Sequence, residues 1–267
     1  MDTADCVKST LSSSGADIIS IGKSAAGEDV LCAHRGDYSG GQIIITAAIH
    51  ARECCTAHVV LKQIQEYEGN GGVYFIPLVN PDGARFFEGR DIPGFPVLGR
   101  NEKNRLIWKA NAEGVDLNVN FDANWGSGRQ NVLTPGPSDF IGAYPLCAPE
   151  SRFLAAFTER VMPIFTLSYH CMGGELYWEY GQSGNRLRRD RKIAAAIATE
   201  IGVKKVDGHL FSAGGFKDYC IQKLKIPSVT VELIKTGSHP FYEKDIADDI
   251  EKNARLPEFI TRLMRTI

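Results

Sequence analysis

The chain has 267 residues, and 30 Lys and Arg against 32 Asp and Glu leave a formal net charge of -2, with 43% hydrophobic and 23% charged residues. Those proportions belong to an ordinary globular protein with enough apolar residues to build its own core. Near-neutrality without a basic stripe removes the electrostatic footprint that nucleic acids and acidic membrane surfaces require, so neither is expected as a partner.

The first residues, MDTADCVKSTLSSSG, carry two Asp and no apolar stretch, which does not fit a secretory signal. No run approaches the roughly 18 consecutive apolar residues of a spanning helix. Residues 17–21 and 29–33, flanking Gly22 and Gly27, predict a hairpin at a sheet edge. Four runs rich in β-branched and aromatic residues follow, at 42–49, 73–79, 164–169 and 228–233, and alternate with helical patterns. That alternation predicts an α/β fold with a largely parallel or mixed sheet.

Between 53 and 68, Ala57, Val60, Leu61 and Ile64 form a helical stripe that ends in Gly69-Asn70-Gly71-Gly72. Pro149-Glu150 opens a second helix that must stop before Pro163. Further helices are expected at 190–201 and 243–254, with Pro257 separating or kinking a last turn. Residues 126–146 hold four Gly and three Pro without a period and read as a functional loop. With no repeat, low-complexity tract or linker, a single catalytic domain over 1–267 is expected. Seven cysteines without a C-x-x-C pair argue against a disulfide framework or a thiolate zinc knuckle, and a reducing cytoplasm is the expected location.

Ligands of open α/β sheets bind beyond the carboxyl ends of the strands. There the predicted strands end in His50-Ala51-Arg52-Glu53, Asn80-Pro81-Asp82-Gly83, His170 and Glu232. H-x-x-E alone is weak, since chance gives roughly 0.4 such pairs in a chain of this composition. Its place where a buried strand meets a helix start, with a second strand-terminal histidine to hand, strengthens it. His50, Glu53 and His170 then form a two-histidine, one-carboxylate set with an open fourth position, which suits a catalytic zinc, one per chain. Glu232 is the candidate for the carboxylate that moves the water proton. The plainer reading of Glu232 pairs it with Lys217 or Lys235.

With these residues assembled the chain resembles the zinc carboxypeptidase family over nearly its whole length. Ile21–Val30 resembles the opening hairpin, IHARE the first metal motif, NPDG the loop after the next strand, GVDLNVNF the substrate-carboxylate region, SYH the strand of the third ligand, and GGFKDY with VTVEL the specificity loop and catalytic-glutamate strand. The resemblance implies a single α/β domain with a mixed, mostly eight-stranded twisted sheet between helices. It assigns zinc to His50, Glu53 and His170, and catalytic roles to Glu232, to Arg52 inside the first motif, and to Lys109 where the family carries an oxyanion arginine.

The departures are as informative. Asn118 is followed by Val119 where carboxypeptidases place the arginine that forks onto the substrate's terminal carboxylate, a contact valine cannot make. Lys217 stands at the pocket-bottom position, and His209 lies near the place of the family's mobile tyrosine. In the pattern WKAN…GVDLN-(apolar)-N, a loop like GPSDFIG, and SYHCMGGELYW followed by GGFKDY, the chain is most similar to bacterial γ-D-glutamyl-meso-diaminopimelate peptidases, which implies a small muropeptide substrate with Lys217 facing the distal carboxylate of diaminopimelate. Two rivals follow. One is a metallocarboxypeptidase releasing acidic C-terminal residues; the other is an inactive muropeptide-binding homologue. The absence of a signal or glycan-binding module points to recycling of internalised peptides or sporulation.

Overall fold

The computed structural model describes residues 1–92, 101–208 and 212–267. Its strands are β1 (Asp17–Lys23), β2 (Asp29–Arg35), β3 (Ile43–Ala47), β4 (Val73–Ile76), β5 (Phe165–Cys171), β6 (Glu175–Tyr177), β7 (Lys204–Val206) and β8 (Ser228–Leu233). They form one sheet in the order β1-β2-β4-β3-β5-β8-β6-β7. The expected hairpin is antiparallel at one edge, β3, β4, β5 and β8 run parallel in the middle, and β6 returns antiparallel to β8.

β3 is buried along its whole length because both of its faces are covered. Ile43 and Ile45 pack with Phe165, Leu167 and Val229 under the helices Ala57–Glu66, Gly184–Ile201 and Leu256–Met264. Ile44 points the other way, to Ile76, Leu154 and Phe157 under the helix Pro149–Val161. Side chains alternate across a strand, so a run of three isoleucines serves two core layers. Among the described residues no helix is long and apolar enough to cross a membrane.

Several expectations need correction. The segment expected to be helical from 53 opens as a tight 3₁₀ turn, Ala51–Thr56, and becomes α-helical only at Ala57. Glu53 has non-helical dihedrals (φ -104°, ψ 19°), and Thr56 Oγ1 donates to its carbonyl at 2.8 Å. The helix expected from 190 begins at Gly184, where an arginine-rich first stretch hides the apolar period. Residues 243–254 divide into a 3₁₀ turn, Glu243–Ile246, and a short helix, Ala247–Asn253; Pro257 sits in the first turn of a further nine-residue helix, Leu256–Met264. A helix at Thr3–Ser13 was not expected. Asp2 caps it by accepting from Asp5 N at 2.9 Å, and Ala4, Val7 and Leu11 bury one face.

Two buried carboxylates tie the hairpin turn to the loops beyond the sheet. Asp82 accepts from Ser24 Oγ and Ala26 N at 2.8 Å each. Glu150 accepts from Ala25 N at 3.0 Å and from Asn111 Nδ2 at 2.9 Å. Burial raises both carboxyls, Glu150 to about 7. A carboxyl that holds its proton more tightly folded than unfolded contributes stability that is full below its unfolded value of 4.5 and is lost as pH rises towards 7. At about 1.4 kcal/mol per pH unit the interval amounts to roughly 3 kcal/mol. The difference in urea midpoint between wild type and Glu150→Gln is therefore expected to slope between pH 4.5 and 7. Parallel curves would show that Glu150 titrates alike in both states.

Candidate metal centre and substrate cavity

After β3 the chain passes to β4 on one side and later to β5 on the other, so the crevice beyond their ends is where the strand order reverses. Ala48, at φ 52°, bends the chain out of the sheet, and its N–H donates to Thr56 Oγ1 at 3.0 Å. The turn that follows is strapped from outside, because Ala51 N donates to the Lys109 carbonyl at 3.0 Å and Arg52 N to the Trp108 carbonyl at 2.8 Å. His50 and Glu53, three residues apart, are thereby held side by side.

On the sheet side, His170 of β5 lies opposite Glu232 of β8 in register. Paired residues of neighbouring strands point to the same face, so the ladder itself places the second histidine beside the strand-end carboxylate. His50 Nδ1 lies 2.9 Å from Glu53 Oε1, and His170 Nδ1 lies 3.0 Å from Glu53 Oε2. The three donor atoms all fall within 4.8 Å of one another. Donors roughly 2.0–2.2 Å from one tetrahedral ion would be spaced comparably, and two imidazoles with a carboxylate are a zinc donor set.

The electrostatics also fit a cation. Burial opposes protonation of His50, yet the Glu53 and Asp116 carboxylates outweigh it and hold the ring up at about 9. Burial would likewise raise Glu53, but His50 and His170 keep its carboxyl well below the ordinary range. Asp116, which sequence reading passed over as chemistry, faces His50 Nε2 at 3.3 Å and also accepts from Asn118 N and Asp139 N at 3.1 Å each. A carboxylate on the far ring nitrogen fixes the tautomer that leaves Nδ1 free to ligate. The signal was available: a buried ligating histidine needs such a partner, and Asp116 stands inside GVDLN.

Burial and the neighbouring Glu53 charge raise Glu232, while the cationic His50, Lys109 and Arg52 pull it back down towards the carboxylate form. Arg52 and Lys109 are thus both brought to the cluster. The Nε of Arg52 and the Nδ1 of His239 are buried without a hydrogen-bond partner among the described residues. His239 Nε2 meets the Cys171 carbonyl at 3.1 Å, and no sequence signal marked it. Behind the cluster, Cys55 and Cys171 approach to 3.9 Å as buried thiols.

Beside Glu232 opens a cavity of about 300 Å³ lined by Asn118, Glu179, Tyr180, Lys217 and Asp218 among others. Asn118 Oδ1 accepts from Phe216 N at 3.1 Å, which joins the GVDLN stretch to the GGFKDY stretch. Val119 is not among the described residues lining this cavity; its backbone packs against the GGFKDY stretch, where a Cβ on Gly214 would stand 2.5 Å from the Val119 carbonyl oxygen. Lys217, expected to face a substrate carboxylate or to pair with Glu232, is paired with Asp218 Oδ1 at 2.5 Å. The expectation for His209 lies outside the described residues. Asn80 and Asp82, which the sequence placed on the same rim, act as supports; Asn80 Nδ2 donates to the carbonyls of Ile49, Lys109 and Ala110.

A two-histidine, one-carboxylate cluster with a neighbouring carboxylate, at the switch point of a mixed sheet, is the arrangement of a metallopeptidase. The chain belongs to the zinc carboxypeptidase family, whose model matches residues 8–256. It is 29% identical over 224 residues to gamma-D-glutamyl-L-diamino acid endopeptidase 1 of Lysinibacillus sphaericus, a match covering 73% of this chain and 54% of that relative. The chain thus spans little more than half the relative's length. Among solved structures, bovine thrombin-activatable fibrinolysis inhibitor, in complex with tick carboxypeptidase inhibitor, has a TM-score of 0.81 at 17% identity, covering 98% of this chain and 97% of that one. Murein-tripeptide amidase MpaA from Escherichia coli O157 has a TM-score of 0.63 at 20% identity, covering 92% and 95%. At such identities the likeness to both structures is one of fold.

Proposed function

We propose that the protein is a zinc-dependent peptidase that hydrolyses the γ-D-glutamyl-diaminopimelate bond of peptidoglycan stem peptides. The observation that carries this reading is the cavity beside Glu232, where Lys217 is the cation among the described lining residues; Val119, at the sequence position where the resemblance expects a carboxylate-forking arginine, supports it. The relative from Lysinibacillus sphaericus, named for cleavage at a γ-D-glutamyl-diamino acid bond, supports it.

His50 Nδ1, Glu53 and His170 Nδ1 would hold one zinc ion, which supplies a polarised carbonyl and water acidic enough to attack near neutral pH. Glu232 accepts the proton that the attacking water loses and returns it to the leaving amine. Arg52 and Lys109 stabilise the negative charge that develops on the carbonyl oxygen; Lys109 does so as a point charge and not as a fork. Asp116 orients His50. Asn118 and Lys217 receive the leaving residue, and Lys217 binds its distal carboxylate.

Incubation with L-Ala-γ-D-Glu-meso-diaminopimelate is expected to release free diaminopimelate, detected by mass spectrometry. A chelator should abolish the release and added zinc restore it. An intact peptide at high protein concentration, with ready cleavage of a simple peptide ending in glutamate, would replace this reading by that of a carboxypeptidase for acidic C-terminal residues. The Lys217–Asp218 pair weighs against that rival, because a lysine already neutralised is a poor trap for a lone carboxylate.

A further inference from the structure

The charge lining the leaving-residue cavity is not the simple positive spot that a pocket-bottom lysine suggests. Lys217 Nζ has three N–H donors. One is spent on Asp218 Oδ1 at 2.5 Å and a second is directed at the Glu179 carbonyl at 3.4 Å, while the ammonium lies 5.2 Å from the Tyr180 ring centroid. One donor remains. Asp218 cannot turn away to serve a ligand, since it is buried to 3% exposure with its second oxygen 3.4 Å from Gly215 N. The Lys217–Asp218 pair therefore sums to zero.

Glu179 adds a carboxylate to the same wall. It is half-buried, and its Oε2 accepts from Gly208 N at 2.9 Å, which steadies the group and leaves Oε1 for a further donor. Away from Glu232, the described charged residues of the cavity are thus one ammonium and two carboxylates, net negative despite the lysine.

Resting on the muropeptide reading above, we propose that this cavity selects a leaving residue whose side chain ends in both charges, with Lys217 taking the carboxylate and Glu179 the ammonium. A side chain that ends in a carboxylate alone gains the last Lys217 donor but meets repulsion from Glu179 and Asp218. A side chain that ends in an ammonium alone satisfies Glu179 but faces Lys217. Only the zwitterionic end, an amino acid terminus carried on a short methylene stem as in diaminopimelate, answers both. Discrimination then comes as much from repulsion of the wrong charge as from attraction of the right one.

Three peptides L-Ala-γ-D-Glu-X test this with the zinc-loaded protein, where X is meso-diaminopimelate, L-lysine (ammonium only) or L-2-aminopimelate (carboxylate only). Wild type is expected to favour diaminopimelate over each of the others by roughly thirty-fold or more in kcat/KM. Glu179→Gln, at a half-buried position whose fold is checked by its melting curve, should lose a similar factor on diaminopimelate and gain on 2-aminopimelate, so that the preference between these two collapses. Equal cleavage of diaminopimelate and 2-aminopimelate by wild type, or an equal loss on all three substrates in the variant, would overturn the inference and leave the muropeptide reading standing. Cleavage of none of the three would overturn that reading and the inference together.

Discussion

Replacing Glu232 by Gln is expected to leave bound zinc unchanged and to lower hydrolysis by about 10²- to 10⁴-fold, the usual contribution of a positioned proton acceptor. The amide keeps the size and the place of the carboxyl group, at the end of β8 opposite His170, but it cannot take a proton from water. It lies outside the three-donor cluster, so metal content and turnover should separate. Elemental analysis beside kcat on the stem tripeptide makes the comparison. Wild-type turnover in the variant would make Glu232 a bystander and favour a protein that binds muropeptides without cutting them. Loss of metal would place Glu232 in the donor set.

Asp116→Asn is expected to weaken zinc binding by about 10- to 100-fold with the three donors intact. Asp116 satisfies His50 Nε2 with one oxygen and the N–H groups of Asn118 and Asp139 around it. An asparagine must turn an N–H towards one of these donors, and it no longer offers the charge that keeps His50 rigid and electron-rich. Because the same residue ties the GVDLN turn to the loop at Asp139, a lower melting temperature should accompany the weaker affinity. Competition against a chromophoric chelator reads the affinity directly. Unchanged zinc affinity would mean that His50 needs no such partner.

The parts of the fold legible in the sequence were those in which one physical pattern dominates. The run at 228–233 became β8 with those bounds, and Pro149 and Pro163 bracketed their helix, because apolar continuity and proline each leave little choice. β6 and β7, three residues each, are too short to carry an alternation and owe their pairing to β8 and to one another. The helix Thr3–Ser13 was legible in principle from the Asp2 cap and the spacing of Ala4, Val7 and Leu11, but its serine- and threonine-rich exposed face obscured the period.

In the site, the residues at strand ends were found because topology alone brings His50, His170 and Glu232 together. What escaped were partners fixed by long-range contacts. Asp116 reaches His50 across the chain, Asn80 and Asp82 were placed on the rim but their role as supports was not legible, and Glu150 is bound to a turn 125 residues away. The Lys217–Asp218 pair was written as neighbours in the sequence, yet adjacency says nothing of whether two side chains meet.

The register between β5 and β8 carries an evolutionary corollary. His170 and Glu232 are spaced by the hydrogen-bonded ladder of two interior strands, whereas Glu179 follows the end of β6 and Lys217 sits in the short helix Phe216–Tyr219. The ladder therefore sets the His170–Glu232 spacing independently of Glu179 and Lys217, whereas His50 is linked to the Lys217 segment through Asp116, Asn118 and Phe216. Exchanging the segments that bear Glu179 and Lys217 between relatives should therefore preserve the sheet-borne half of the centre, and preserve the His50 half only where the Asn118–Phe216 contact is kept.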